Sequence, residues 1–522
     1  MQNPRRATPG IVLGTIMLVV SLCSAAACAQ EHIQGAAESA WPTRQWPTST
    51  PEEQGMDSAA LARLVEFGTT RSFDSLLIVR HGRIVLDVYY APYAADIPHI
   101  TNSATKAVIG TLMAIASKDG LLDSTDHRML DFFTDRSIAN VDERKKAITV
   151  QSLLDMTSGV DWEEPLSGRP VSMIAMERSP DWIKFILDRQ MSNAPGDIFN
   201  YNSGNPHLLS AILTRLTGLS ASDYAKARLF GPLGISTWNW RRDPQGISTG
   251  GYGLALLPRD MAKIGYLYLR QGEWEGKPLV PAGWVEKTRH ATVNMNSSRS
   301  PTLRYSNLFW ALPDKKVYMA VGYHCQVIMI FPELDIVAVT TARDFCPFGK
   351  MADHISGAVK SEMALPPDPA GTNLLAGVIH EVSTEKPSEI GAMPEIASSI
   401  SGKTYKFLSN ALNVRSLSLT LAGPNPHYEL EMNSRNPTGP ALKFAGPIGL
   451  DGLFRKSDPT AFGVAATKGR WLDGQTFVFE RRMLGADTPL QKWTLGFDGG
   501  RLNLRGNDRA GLEVSIVGEP GD

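Results

Sequence analysis

The chain has 522 residues, a formal net charge of -1, 43% hydrophobic residues and 20% charged residues. This length is ample for a large core and suggests more than one domain, while the near-neutral charge excludes the basic footprint of a nucleic-acid-binding protein. The sequence contains neither a CxxC pair nor an HExxH helix, so we expect no metal site and no cofactor.

Residues 1–29 have the order of a secretory signal. Two arginines precede an apolar run at residues 11–20, and small residues follow it at 24–27. Cleavage after Ala29 would release a soluble product, whereas cleavage before Cys28 would leave a lipid on that cysteine and tether the protein to a membrane. The residue at the first position of the lipid box is a weak fit, which slightly favours the soluble product. We expect an exported protein, either periplasmic or extracellular or anchored as a lipoprotein.

Residues 30–365 have the pattern of one α+β domain, with strands near both ends and helices between them. Apolar spacing predicts two short strands within residues 75–90, a helix over 102–118 with Asn102 as its N-cap, further helices over 207–217 and 258–272, and a buried hairpin over 326–341. We expect an antiparallel sheet packed against a cluster of helices.

The composition changes after this domain. Residues 366–400 are rich in Pro, Ala, Ser and Glu, and we interpret them as a linker. Over residues 401–522 short alternating runs recur, and a turn at residues 498–500 separates two of them. Several short strands at such spacing predict an all-β, barrel-like accessory domain.

Ser103 and Lys106 form an S-x-x-K motif at the predicted start of a helix. The spacing of three puts both side chains on one face, where a partly desolvated lysine can take the serine proton and the helix N-terminus can stabilise an oxyanion. A motif this short also arises by chance, and a second copy occurs at Ser383 and Lys386 within the predicted linker. The helix context favours Ser103 as the nucleophile.

Tyr201 lies in a polar loop over residues 199–205, after a Pro-Gly turn and before a predicted helix. A loop tyrosine among small polar residues can present its hydroxyl to a cleft, although a half-buried tyrosine that caps a loop is the commoner case. We take Tyr201 as a third candidate catalytic residue beside Ser103 and Lys106.

Together these residues resemble the class C β-lactamase and D-alanyl-D-alanine peptidase superfamily, including its esterases and 6-aminohexanoate-dimer hydrolases. The resemblance covers residues 41–343 and rests, besides the S-x-x-K motif, on the segments 46–55, 201–205, 243–247, 258–263 and 322–332. It implies a β-lactamase/transpeptidase-like fold. It also implies that Ser103 is the acylated serine, that Lys106 is its proton acceptor and that Tyr201 relays the proton to the leaving group.

Two positions depart from the pattern of the superfamily. Ser203 stands where the second motif usually has asparagine, and Ala320 stands where the third motif often has a lysine or histidine that faces a substrate carboxylate. This departure resembles the esterase and amidase branch. The aligned Gly322 is followed by Tyr323, whose backbone N–H would pair with that of Ser103 as the oxyanion hole.

Three residues are expected to contact the substrate, namely Ser203, Gly322 and His324. The alignment of the third motif counts back from a proline after the hairpin, so an insertion in the strand would instead bring Lys315 or Lys316 to the cationic position.

The expected function is hydrolysis of small esters or linear amides through an acyl-enzyme on Ser103. A β-lactamase or D-alanyl-D-alanine carboxypeptidase is the alternative within the superfamily. A non-catalytic, penicillin-binding-like recognition protein is the alternative of another class. The expected partner is a small-molecule substrate, and neither nucleic acid nor a partner protein is indicated.

Cys325 and Cys346 flank the predicted hairpin. Antiparallel pairing would bring them close, and an exported protein meets an oxidising environment, so we predict a disulfide between them. Two separate buried thiols are the alternative.

Overall fold

A computed structural model describes residues 41–166, 168–295, 301–345, 347–434, 440–460, 462–508 and 511–521. The predicted signal segment with Cys28 and the predicted disulfide partner Cys346 lie outside these residues. Within the described ranges, no helix has both the length and the apolar character that a membrane crossing requires.

The strands of the N-terminal unit, which contains the predicted catalytic residues, pair in an antiparallel manner. They are β1 (Phe73–Arg80), β2 (Arg83–Tyr89), β3 (His99–Ile100), β4 (Trp238–Trp240), β5 (Leu254–Leu256), β6 (Glu273–Trp274), β7 (Lys277–Pro278), β8 (Val293–Asn294), β9 (Arg304–Ser306), β10 (Phe309–Leu312), β11 (Val317–Gly322), β12 (Gln326–Phe331) and β13 (Ile336–Ala342). In the described part of the chain, eight of them form the main sheet in the order β2-β1-β13-β12-β11-β10-β9-β8.

The α-helices of the described residues precede, separate and follow these strands. They are α1 (Ser58–Thr69), α2 (Thr105–Lys118), α3 (Glu143–Lys146), α4 (Val150–Leu154), α5 (Val171–Arg178), α6 (Trp182–Leu187), α7 (Gly204–Thr217), α8 (Ala221–Ala225), α9 (Pro258–Leu269), α10 (Ala282–Arg289), α11 (Phe348–Ala358), α12 (Pro369–Ser383) and α13 (Ile396–Ile400).

Helices cover both faces of the main sheet. Tyr318 of β11 donates a hydrogen bond of 3.0 Å to the carbonyl of Tyr268 in α9. The next residue of the strand, Met319, pairs with Trp310 of β10, and the ring of Trp310 meets that of Phe348 in α11. Because successive side chains of a strand point to opposite faces, α9 and α11 lie on opposite sides of the sheet.

The central strands β11, β12 and β13 are buried along their whole length. A sheet that is covered on both faces has no polar side, so its strands are near-continuous apolar runs, as the sequence of the predicted hairpin showed. The hairpin and the two strands predicted within residues 75–90 are therefore confirmed.

The helix predicted over residues 102–118 is confirmed in its main part, which is α2. Every residue from Thr105 to Ala116 is buried, so α2 is a core helix. The N-cap prediction for Asn102 is wrong. That residue lies in a 3-10 turn with a left-handed backbone (φ 48°), and its side-chain amide donates a 3.1 Å hydrogen bond to the carbonyl of Tyr323. A tertiary contact takes the group that a local cap would have used.

Residues 366–400, predicted as a linker, contain α12 and α13. The carboxylate of Asp368 accepts the N–H of Gly371 at 3.1 Å, Pro369 occupies the first turn of α12, and α12 packs on α1. Proline is compatible with the first turn of a helix, so part of the Pro-rich composition marks a helix start.

The C-terminal unit is a second antiparallel sheet. Its strands are β14 (Thr404–Phe407), β15 (Val414–Thr420), β16 (His427–Met432), β17 (Leu442–Pro447), β18 (Arg455–Lys456), β19 (Val464–Trp471), β20 (Thr476–Leu484), β21 (Gln491–Asp498), β22 (Arg501–Asn507) and β23 (Glu513–Pro520). Within the described residues their order is β17-β16-β15-β14-β23-β22-β21-β20-β19-β18, and the end strands β17 and β18 contact each other. The sheet is thus nearly closed into a barrel.

Alternation along these strands builds a separate core. In β15 and β21, for example, Leu417, Leu419, Trp493 and Leu495 are buried while their neighbours are more exposed. This period of two is the pattern of a sheet with one face toward a core. The predicted α+β fold with an additional β-rich, barrel-like domain is therefore confirmed.

Candidate active site

Ser103 and Lys106 meet at the start of α2. Ser103 lies in the 3-10 turn that precedes the helix, and Lys106 lies in its first turn. The ammonium nitrogen of Lys106 is 3.0 Å from Ser103 Oγ, and the lysine is only 1% exposed. The spacing of three residues thus places a buried amine in hydrogen-bond contact with a hydroxyl, as the sequence predicted for this pair.

Lys106 has two further hydrogen-bond partners. Its Nζ lies 2.9 Å from the carbonyl oxygen of Gly251 and 2.9 Å from Ser203 Oγ. A Cβ on Gly251 would lie only 2.9 Å from the Cβ of Ser203, so the absence of a side chain lets this loop approach the lysine. Three acceptors around one ammonium satisfy all of its N–H donors, which a buried charge requires.

A carboxylate orients the hydroxyl of Ser203. Ser203 Oγ donates a 2.6 Å hydrogen bond to Glu164 Oε1, and the backbone N–H of Ser203 donates to Glu164 Oε2 at 2.8 Å. The indole N–H of Trp162 donates to the same carboxylate at 2.7 Å. Glu164 precedes Ser203 by 39 residues, and its sequence context carries no motif that would have identified it.

Of the three hydrogen bonds at Lys106, one can exchange its donor and acceptor. The carbonyl of Gly251 can only accept, and the hydroxyl of Ser203 must accept because its own proton points to Glu164. Only the contact with Ser103 can change direction. A neutral Lys106 would therefore aim its lone pair at the hydroxyl of Ser103, which is the arrangement that proton abstraction needs.

Tyr201 lies beside the same lysine. Lys106 Nζ stands 4.7 Å from the centroid of the Tyr201 ring, and the ring of Trp310 meets Tyr201 edge-on at 6.1 Å. Between Tyr201 and Ser203, the buried side chain of Asn202 accepts the N–H groups of Gly204 and Asn205, at 2.7 and 3.1 Å. Asn202 therefore satisfies the first two N–H groups of α7 and fixes the loop that carries the two candidate residues.

A second tyrosine near the site remains neutral. Burial raises the pKa of Tyr305 well above its usual value, and the nearby Tyr201 and Glu164 act in the same direction. A phenolate is therefore strongly disfavoured at this buried position.

Gly322, at the end of β11, approaches the turn that carries Ser103. A Cβ on Gly322 would collide with the carbonyl oxygen of Thr101 and lie 3.2 Å from the backbone nitrogen of Ala104. The sequence-predicted oxyanion residue Tyr323 follows directly, and its side chain is 64% exposed. Strand end and helix start are thus neighbours, the position in which backbone amides from both would serve an oxyanion.

The cationic alternative for the third motif receives no support from the fold. Ala320 is 1% exposed and lies in β11 two residues before Gly322. Lys315 and Lys316 precede the opposite end of the strand, where they form ion pairs with Asp353 at 2.7 Å and with Glu333 at 2.6 Å.

The serine and lysine of the second S-x-x-K motif, Ser383 and Lys386, each bond to other groups. Ser383 Oγ donates to the carbonyl of His380 at 3.3 Å, and Lys386 Nζ pairs with Glu381 at 3.4 Å. Ser383 is the last residue of α12 and Lys386 lies in the segment after it, and both side chains are exposed, unlike the buried Lys106.

Comparisons with known proteins show which family this chain resembles. The Beta-lactamase family model matches residues 61–355. A 6-aminohexanoate-dimer hydrolase of Paenarthrobacter ureafaciens is 23% identical over 295 residues, which cover 51% of this chain and 71% of the relative.

Solved structures that resemble this chain include a Bacillus anthracis protein named as a putative 6-aminohexanoate-dimer hydrolase, at 18% identity and a TM-score of 0.49; the match covers 65% of this chain and 87% of that protein. They also include EstCE1, a hydrolase with promiscuous acyltransferase activity, at 16% identity and a TM-score of 0.49. That match covers 58% of this chain and 99% of EstCE1.

The family match spans more than half of the chain, and so the protein belongs to the β-lactamase family. Within that family it is an enzyme of the serine hydrolase type.

Proposed function

We propose that the protein hydrolyses small carboxylic esters or linear amides through an acyl-enzyme on Ser103. The observation that carries the proposal is the 3.0 Å contact between Lys106 Nζ and Ser103 Oγ, with both other partners of the lysine fixed as acceptors. In this arrangement Lys106 takes the hydroxyl proton as Ser103 Oγ attacks the carbonyl carbon.

The remaining steps use the groups around the pair. The backbone N–H groups of Ser103 and Tyr323 would hold the oxyanion of the tetrahedral intermediate, and each such donor typically stabilises it by a few kcal/mol. Tyr201 would pass the proton from Lys106 to the leaving group. Water then attacks the acyl carbon, the same bases take its proton, and the carboxylic acid leaves as Ser103 regains its hydrogen.

The third motif supports esters and linear amides over β-lactams. A lysine or histidine in that motif would face a substrate carboxylate, and such a charge-assisted contact contributes about 1.5–3 kcal/mol. Here Ala320 holds the position, and Lys315 and Lys316 are ion-paired at the far end of the strand. The relative from Paenarthrobacter ureafaciens is named for hydrolysis of a 6-aminohexanoate dimer, which makes a linear amide of that kind a suitable second test substrate.

Comparison of kcat/KM for p-nitrophenyl butyrate and for nitrocefin on one preparation tests this preference. The proposal expects the ester to be the better substrate. Nitrocefin turnover that exceeds the ester by about tenfold, equivalent to about 1.4 kcal/mol of discrimination, would contradict the proposal and favour a β-lactamase. A protein that turns over neither substrate and forms no covalent adduct on Ser103 would instead be a recognition protein.

We further propose that the protein is exported. The support is the charged, apolar and small-residue order of residues 1–29. Mass spectrometry of the mature N-terminus in a bacterial host tests it. A terminus at Gln30 indicates a soluble product, a lipid on Cys28 indicates an anchored one, and an intact Met1 in the cell interior contradicts export.

A further inference from the structure

The C-terminal sheet reaches the segment that leads to Ser103. The loop of residues 485–490, between β20 and β21, begins with Gly485, whose carbonyl accepts the N–H of Ile100 at 2.7 Å. A Cβ on Gly485 would collide with the carbonyl oxygen of Pro98, and the backbone there is left-handed (φ 71°). The loop is therefore seated against the chain three residues before the candidate nucleophile.

Apolar contacts between the two units lie next to this loop. Tyr93 and Ile97 of the catalytic unit form a buried cluster with Ala466 of β19 and Leu484 of β20. The buried side chains at this junction come from both units, so the position of the loop is set by packing and not by a flexible tether.

Charged side chains also join the two units at this junction. Arg343 Nε donates to Asp74 Oδ1 at 2.7 Å. The positive charge of Arg482 in β20 lowers the pKa of the same carboxylate and that of the Tyr93 hydroxyl. Asp74 is almost fully buried, and a buried carboxylate needs such partners, which here come from both units.

Asp487 of this loop holds the residue that follows the predicted oxyanion position. Its carboxylate lies 2.6 Å from His324 Nδ1, and each of the two side chains is about one-third exposed. The ring of His324 in turn lies against that of Tyr323, with centroids 3.8 Å apart.

The backbone under this pair is strained. His324 and Cys325 both have left-handed conformations, with φ of 56° and 62°, which side-chain-bearing residues seldom adopt in succession. Such a conformation persists only where neighbouring groups hold it. Asn102 holds the carbonyl of Tyr323 from the catalytic side, and Asp487 holds the ring of His324 from the side of the C-terminal unit.

We infer that Asp487 is a positioning residue through which the C-terminal domain limits the length of the acyl group that Ser103 accepts. The inference rests on the proposed function. The carbon that Ser103 attacks carries an oxyanion, a leaving group and the acyl chain. The oxyanion would point to the backbone amide of Tyr323, and the leaving group would point to Tyr201. The direction that remains for the acyl chain runs along Tyr323 toward His324. The ring of His324, fixed by Asp487, closes that direction after a short chain.

The ratio of kcat/KM for p-nitrophenyl butyrate to that for p-nitrophenyl octanoate tests this role in the full chain. In Asp487→Ala the ratio is expected to fall about tenfold, because the released His324 ring opens the path for the longer chain. Asp487→Asn should keep most of the wild-type ratio, because its amide oxygen still accepts the N–H of His324. The matched control is Asp498→Ala, which removes an exposed carboxylate from the end of β21 in the same sheet.

Hydrogen exchange of the peptide that contains residues 322–326 provides a readout that does not depend on catalysis. Exchange is expected to become faster in Asp487→Ala and to remain unchanged in Asp498→Ala. An unchanged ester ratio in Asp487→Ala, with or without faster exchange, contradicts the inference, as does an Asn variant that behaves like the Ala variant.

The two possible failures are distinguishable. If the wild-type protein does not hydrolyse either ester in a Ser103-dependent manner, the proposed function fails and the inference fails with it, whatever the exchange data show. If hydrolysis depends on Ser103 while the chain-length ratio stays the same in Asp487→Ala, only the inference fails.

Discussion

The hydroxyl of Ser203 donates a 2.6 Å hydrogen bond to Glu164 while accepting one of 2.9 Å from Lys106. This direction matters because a carboxylate that takes the hydroxyl proton of Ser203 fixes the other side of that hydroxyl as an acceptor. Ser203 is therefore held as an acceptor toward Lys106. The lone pair that the neutral lysine would use is then left for Ser103.

Glu164→Gln should lower kcat for ester hydrolysis by about ten- to a hundredfold, which corresponds to about 1.4–2.7 kcal/mol in the barrier. The glutamine amide can donate to Ser203, which would then donate to Lys106 and compete with Ser103 for the lone pair. Steady-state kinetics measures the loss. The matched control is Glu163→Gln, because Glu163 is the exposed neighbour in the same loop. Equal activity in the two variants would contradict the orienting role of Glu164.

Gly322→Ala should lower kcat/KM for the ester by at least about tenfold, because the new methyl group would collide with the carbonyl of Thr101 and move the end of β11 away from Ser103. Gly349→Ala is the control, since a Cβ at that helical position meets no atom within 4 Å. Kinetics and the melting temperature are measured for both. A Gly322→Ala enzyme with wild-type activity would show that this close approach does not set the geometry of the site.

Buried His99 should make the protein less stable in mild acid. Burial lowers the pKa of His99 to about 3, whereas an exposed histidine in the unfolded chain titrates near 6.5. Below pH 6.5 the unfolded chain therefore takes up a proton that the folded chain refuses, and the free energy of unfolding falls by up to about 1.4 kcal/mol per pH unit. Burial raises the pKa of the neighbouring Asp74, which acts with the opposite sign.

Urea unfolding at pH 7.5 and at pH 5.0 tests this effect. The wild-type protein should lose up to about 2 kcal/mol more than His99→Gln between the two values, because the variant lacks the buried histidine that the folded chain keeps neutral in this window. An identical pH dependence for both proteins would show that His99 does not remain neutral in the folded state.

The Cys325–Cys346 disulfide remains a prediction from the sequence, since Cys346 lies outside the described residues. Mass spectrometry of the exported protein under non-reducing conditions should find one peptide pair joined through these cysteines. Two free thiols on the native protein would contradict the bridge.

Local signals predicted the parts of the site that lie close together in the chain. The S-x-x-K spacing on a helix brought Ser103 and Lys106 together, and the polar loop before α7 identified Tyr201. Glu164 was missed because its contact with Ser203 spans 39 residues and involves no recurring spacing. The backbone carbonyl of Gly251 was missed because any residue type carries one.

The same limit explains the errors in the fold. Asn102 has the chemistry of an N-cap, but the approach of β11 offers its amide the carbonyl of Tyr323, and periodicity carries no information on such a contact. The β-rich C-terminal domain followed from alternation alone. Its contact with the site through Asp487 and His324 depends on how two domains dock, which no local pattern records.

The most direct test of the account is covalent labelling with a fluorophosphonate probe, which reacts with activated serines. Intact mass and peptide mapping should show one probe per wild-type chain, on the peptide that carries Ser103, and none on Ser103→Ala with an unchanged melting temperature. Labelling of Ser103→Ala at the wild-type rate, or a label on Ser383 in place of Ser103, would contradict the assignment of the nucleophile.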